Sequence, residues 1–433
     1  MSPALREFVR RSWGVMGANL LGSLGLLYAL GAIGRHVGDE ALAASGLVIT
    51  SLNMVAVLGA GHGIRLLHTY YSSGPDPAAR LAAVTARAAT ARDASYLLAV
   101  AWLVVGSIVV AAHDDRYFIA AAWLAGLPIF LLAPRIGLTG AMMQVADSES
   151  VLLRFAAGSV VLEVLLVTVL PHVGLDQRVL FPLILLSGQL ATAGVLVLNR
   201  RHLARHHREL WRASLLPVAA RPFRSGWRSQ VWQASFTAWD ALAIMGYYTI
   251  AVAIAGGSAV QVAAVVGVVA STNRTIIVPL KAAGLVGGRL AKRAGGAGQA
   301  TFATAQVRLV GVVMVVAAVV IATAGQFSDR LFGVPTSIGG PALLIASVQL
   351  LMEPFVGFLS GQGKVLHGAD FGVRSIVAAI LVVALPLMLV LSAVRPEHAS
   401  SYLVPFVLGR LAALVGMRRE TARVGRVGSE IPA

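Results

Sequence analysis

Apolar residues in this chain come in unbroken runs of about 20, the length that carries a helix across a bilayer's hydrocarbon core. The runs predict helical segments at 13–33, 41–66, 94–112, 117–139, 152–171 and 178–198. After a polar break they resume at 229–255, 260–283, 305–325, 339–361, 372–393 and 401–417. The pattern predicts an all-α polytopic membrane protein of about twelve transmembrane helices in two pseudo-symmetric six-helix lobes. The lobes are residues 1–198 and 229–433, joined by a basic linker at 199–228. The first run is too long for a signal-peptide core, and no small-residue cleavage site ends a shorter version of it. It reads as a retained helix.

Composition agrees with lipid as the solvent. Hydrophobic residues make up 57% of the 433 and charged residues only 12%, against about 25% charged in soluble domains. The formal net charge of +16 could point to nucleic acid. The basic residues, however, lie in short segments between apolar runs, as the positive-inside rule produces without a nucleic-acid partner. With the N-terminus inside, Arg6, Arg10 and Arg11, then Arg80, Arg87 and Arg92, then the linker and Arg418 to Arg426 all fall on the cytoplasmic face. Both termini are therefore expected in the cytoplasm, in a multi-pass protein of the cell membrane. The linker also holds His202, His206 and His207. They read as part of a solvated basic segment, since no carboxylate or Cys set accompanies them as metal ligands. The chain has no Cys, which excludes thiol chemistry.

The two halves echo each other. Laying one half on the other at a constant offset pairs Ala43-Ala44 with Ala263-Ala264, Val48 with Val268, Ser51 with Ser271 and Asn53 with Asn273. A looser echo joins Gly140…Ala146-Asp147 to Gly361…Ala369-Asp370. Six helices per half give a parallel repeat about an axis along the membrane normal, an architecture that recurs in transporters.

These features resemble the multidrug and toxic compound extrusion (MATE) family, within the wider flippase superfamily. The likeness is carried by Ile33-Gly34-Arg35-His36-Val37-Gly38-Asp39-Glu40-Ala41-Leu42-Ala43-Ala44-Ser45-Gly46, where a short Gly-containing turn precedes a small-residue helix. Gly61-His62-Gly63, Ser73-Gly74, Val145-Ala146-Asp147 and Gly368-Ala369-Asp370 continue it along nearly the whole chain. The resemblance implies twelve helices in two lobes and export by alternating access, driven by proton or sodium entry. It implies no cofactor.

Ionisable groups deep in transmembrane helices are costly and face a cavity or a partner. Three carboxylates qualify: Glu163, Asp240 and Glu353. Low-dielectric surroundings favour the neutral acid, so such a group can take up and release a proton. Paired carboxylates can instead hold sodium through oxygen ligands. Glu353 is the first choice, because Met352-Glu353-Pro354 followed by Gly361 resembles the family's tenth-helix acid. Pro354 would open the local backbone. Asp240 lies where the family has a seventh-helix acid, in a register uncertain by about two residues, a rotation of about 200°. Ser159 and Glu163, four apart, share one helix face and stand where the family often has Asn and Asp. The family's first-helix Asp is missing: Leu27-Tyr28-Ala29-Leu30 has no acid. Arg274 would act as a fixed internal cation, neutralising Asp240 or Glu353 or meeting an anionic substrate. Asn53, Asn273, Gln233 and Tyr28 are candidate cavity residues, with interhelical hydrogen bonding as their ordinary role.

The expected function is an ion-gradient-driven exporter of lipophilic or cationic small molecules. The alternative is a flippase for a lipid-linked saccharide, which calls for a more cationic cavity. No Gly-x-x-x-x-Gly-Lys loop, intrahelical metal motif or nucleophile elbow marks an enzyme. The chain is expected to act as a monomer, with the lipid bilayer and a small-molecule substrate as its only partners.

Overall fold

The computed structural model describes residues 3–73, 76–112, 116–215, 223, 226–294 and 298–429. The side chains of 50–58 and of Arg274 lie outside that description. The first half contains α1 (Pro3–His36), α2 (Asp39–Ser72), α3 (Pro77–Ala112), α4 (Arg116–Val145), α5 (Glu149–Val169) and α6 (Gln177–His206). Two short helices follow, α7 (Arg208–Leu215) and α8 (Trp227–Thr237). Next come α9 (Trp239–Gly256), α10 (Val260–Ala294), α11 (Gly298–Gly325), the one-turn α12 (Ser328–Phe332) and α13 (Thr336–Leu350). The chain finishes with α14 (Leu359–Leu366), α15 (Val373–Ala378), α16 (Leu385–Val394) and α17 (Ser400–Ser429).

Among the described residues, nine helices are long and apolar enough to cross a membrane, and two bent pairs raise the number to eleven. The 34-residue α2 occupies the remaining predicted segment. The protein is thus an all-helical, multi-pass membrane protein with the predicted order of spans.

The helices run well beyond the predicted segments. The 36-residue α3 begins at Pro77 rather than 94. Its extra turns carry Arg80, Arg87 and Arg92 between alanines, which are the best helix formers. A hydropathy window registers only the part that lies in hydrocarbon. The linker is likewise partly helical: α6 continues to His206, and α7 follows directly. His202 stacks at a tilt on His206, with ring centroids 4.6 Å apart. The predicted 229–255 segment is two helices, because the chain turns at Ala238 between α8 and α9.

The chain forms two compact units, Leu21–Met245 and Met1–Leu20 with Gly246–Ala433. These differ from the lobes expected at 1–198 and 229–433, and local packing gives the reason. The start of α1 joins the second unit: Phe8 meets Phe358 edge-on at 6.1 Å, and Phe8 and Val15 share a buried cluster with Leu280, Val286 and Met314. In the first unit α8 lies on α2 and α3. Thr90 donates to Gln230 Oε1 at 2.8 Å, and Arg65 Nε donates to the Thr237 hydroxyl at 2.9 Å.

Each unit is centred on one helix pair brought close by glycines. In the first, α2 meets α4, and a methyl built on Gly63 would lie 2.5 Å from the Gly137 carbonyl oxygen. In the second, α10 meets α14, where Gly284 faces the Phe358 carbonyl, Gly361 faces the Lys281 carbonyl, and a methyl on Gly288 would lie 2.7 Å from the Gln362 carbonyl. Small residues let backbones approach where lipid provides no hydrophobic drive between helices. The sequence echo extends to further residues. Pro134 answers to Pro354, Gly137 to Gly357 and Tyr28 to Tyr248, all at the offset that relates Asn53 to Asn273.

This packing makes a stability prediction. Gly284→Val puts a branched side chain against backbone that cannot yield, and overpacking of this kind costs about 1–3 kcal/mol. Its thermal unfolding in detergent should fall by several degrees. Gly22→Ala, at a helical position with nothing within 4 Å, should not lower it. Equal melting of the two variants would contradict the packing argument.

Candidate functional site

The buried polar chemistry of the second unit converges on Glu353. The helix carrying it is broken there: α13 ends at Leu350, a π-helical segment runs Pro354–Phe358, and α14 continues. The two arms are bent by 42°. Pro354 has no N–H and its ring clashes with the preceding turn, which accounts for the break. π-Bulges of this kind gather at functional sites. Gly357, one turn on, makes room for the acid; a methyl there would lie 2.6 Å from Glu353 Oε2.

Glu353 is fully buried (0% exposed), and Arg410 of α17 clamps it. Arg410 Nε donates to Oε1 at 2.9 Å and Nη2 donates to Oε2 at 2.5 Å. This is the planar, two-bond geometry in which guanidinium and carboxylate bind best. Arg410 is itself 1% exposed. Gln349 Nε2 donates to Glu353 Oε1 at 3.4 Å. Asn273 Nδ2 of α10 donates to Gln349 Oε1 at 2.7 Å and to the Tyr248 hydroxyl at 2.5 Å. Tyr248 of α9 donates to the same Gln349 oxygen at 3.3 Å. One connected network thus joins α9, α10, α13 and α17. Two buried polar atoms in it have no hydrogen-bond partner among the described residues, Arg410 Nη1 and Asn273 Oδ1.

The first unit treats its acid differently. Glu163 on α5 is 4% exposed. Its carboxylate lies between Gly25 of α1 and Gly188 of α6, and a methyl on Gly188 would be 2.8 Å from Oε1. Ser159, one turn earlier, faces Gly194 of α6 at 3.9 Å, so the two residues do share a face, turned toward α6. No ion pair or hydrogen bond to Glu163 exists among the described residues. Tyr28, 37% exposed, pairs its hydroxyl with that of Thr168 at 2.8 Å and so ties α1 to α5 close by.

The other sequence candidates scatter. Asp240 is buried in the first turn of α9, and it has interactions of its own. Asn273 is buried inside the network. Gln233 is exposed on α8, with only a 3.5 Å contact to Ser229. Asn53 and Arg274 fall outside the described side chains. A guanidinium does neutralise Glu353, that of Arg410; the expectation for Arg274 lies outside the described side chains. Sequence reading missed Arg410. Its one signal is a lone cation in the apolar run 401–417.

A duplicated helical bundle with polar groups buried at mid-span defines a class, the two-unit polytopic membrane proteins. Within that class the chain has the fold of the MATE transporters. It superposes on the eukaryotic MATE transporter AtDTX14 with a TM-score of 0.72 and 14% identity, over 99% of this chain and 97% of that one. It also superposes on a multidrug resistance MATE family transporter of the MOP superfamily in an inward-facing conformation, with a TM-score of 0.66 and 13% identity over 96% of each chain. An outward-facing conformation of such a transporter matches with a TM-score of 0.60 and 14% identity, over 100% of this chain and 98% of that one. No protein-family model and no curated protein sequence matches.

The ion pair makes a prediction of its own. Removing one partner of a buried pair leaves an uncompensated charge and costs about 3–5 kcal/mol. Arg410→Met and Glu353→Gln should each lower the unfolding temperature sharply. The double variant Glu353→Met with Arg410→Met should recover most of the loss, because apolar replacement of both partners is often neutral. Additive losses in the double variant would contradict the clamp.

Proposed function

We propose that this protein is an ion-gradient-driven exporter, an antiporter that moves lipophilic or cationic small molecules across the cell membrane by alternating access. The single observation that carries this reading is the carboxylate of Glu163. It is a buried acid with no cation and no hydrogen-bond donor beside it among the described residues. Burial disfavours the charged form of a carboxylate, and intramembrane acids mark ion relays. A group placed this way responds to an arriving proton or sodium ion, because nothing among the described residues compensates its charge. Inward- and outward-facing forms of multidrug resistance MATE transporters with this fold support the alternating-access part.

Glu163 is the coupling group of this reading. Glu353 already has its counter-ion, and Asp240 has interactions of its own. Tyr28 and Gln233, both exposed, are the candidates for substrate contact, together with Asn53 and Arg274. The protein works as a monomer, with both termini in the cytoplasm, and without a cofactor or enzymatic chemistry.

The test uses purified protein in liposomes with an imposed proton or sodium gradient and a panel of fluorescent cationic dyes. Wild type should move at least one dye, and Glu163→Gln should fall to the level of protein-free liposomes. Its unfolding temperature should not drop, since Gln fills the same space without a charge. Undiminished gradient-driven transport by Glu163→Gln would remove this residue as the coupling group. Transport of a lipid-linked saccharide with no dye movement would favour the flippase reading.

A further inference from the structure

The oxygens around Glu353 are of the kind that binds a hard monovalent cation. The carboxylate provides two; Gln349 turns its N–H to Oε1, and its amide oxygen and the Tyr248 hydroxyl lie one hydrogen bond further along the network, through bonds of 2.5–3.4 Å. The amide oxygen of Asn273 is buried with no donor to satisfy it. What sits on the carboxylate is the guanidinium of Arg410, at 2.9 and 2.5 Å. That guanidinium cannot lose its proton in a protein, and it is anchored to α17. We propose that Arg410 is a tethered cation that specifies ion use: it occupies the cation position of the second unit permanently and closes that oxygen cluster to sodium and to protons.

This inference rests on the reading of the protein as ion-coupled, and it deepens that reading by leaving Glu163 as the only membrane acid of the two open to a free ion. The argument is electrostatic. Two buried charges in a two-bond clamp compensate each other, and either one left alone is heavily penalised. A free sodium ion would have to displace a partner that is always present at the site. A proton would have to neutralise Glu353 and strand the buried Arg410.

The experiment measures sodium binding by the purified full-length protein, with thermal unfolding and intrinsic fluorescence in sodium chloride against choline chloride. It needs no transport assay, so its failure is separable from a failure of the Glu163 reading. Wild type is expected to give the same unfolding temperature in both salts. Arg410→Met is expected to melt several degrees lower in choline chloride and to regain stability as sodium is added. Glu353→Gln with Arg410→Met is expected to lose that sodium response. Arg410→Lys keeps a cation at the position, guards against a variant that does not fold, and is expected to stay insensitive to sodium. Sodium-dependent stabilisation of wild type or of Arg410→Lys would overturn the proposal. So would a folded Arg410→Met that gains nothing from sodium.

Discussion

A carboxylate buried among transmembrane helices is costly unless a partner compensates it, and this chain treats two such acids in opposite ways. Glu353 has a guanidinium fixed on it by two charge-assisted hydrogen bonds and a polar network behind it. Glu163 has glycines on two sides and no charge to answer it among the described residues. In the first arrangement the two buried charges compensate each other. The second leaves the carboxylate without a partner of that kind among the described residues. The repeat makes the contrast sharper, since the offset that relates the halves matches Glu353 with Ala133 and Glu163 with Val383. The duplicated halves keep Pro134 and Pro354, Gly137 and Gly357, and Tyr28 and Tyr248 in register while placing their acids on different helices.

Backbone proximity is what makes both sites possible. Helix pairs α2–α4 and α10–α14 pack through glycines against carbonyl oxygens, and a side chain there would push the helices apart. The same device appears at the acids themselves: Gly25 and Gly188 flank Glu163, and Gly357 clears space for Glu353. Missing side chains thus create room for the charged ones. At Glu353 the proline-induced π segment adds a bend that a regular helix would not have.

Much of this was legible from sequence. The apolar runs located the spans, and the order of the Gly-containing turns pointed to the MATE fold that the structure has. The break at Met352-Glu353-Pro354 was legible because proline has a fixed local consequence. The common face of Ser159 and Glu163 followed from helical spacing. Helix lengths were underread, because polar turns such as those of Arg80 to Arg92 are helical for reasons hydropathy does not register. The pairing of Glu353 with Arg410 was not legible at all. The two residues are 57 positions apart on separate helices, and a lone arginine in an apolar run names no partner. The glycines around Glu163 were equally silent, since proximity across helices α1, α5 and α6 is a property of packing.

The proposal centres on Glu163 as the acid whose charge state changes. Infrared difference spectroscopy of the purified protein through a pH titration measures this directly, because a protonated carboxyl has its own carbonyl stretch. The account predicts a titrating band in wild type that disappears in Glu163→Gln. An unchanged band in that variant, or no titrating carboxyl at all in wild type, would contradict it.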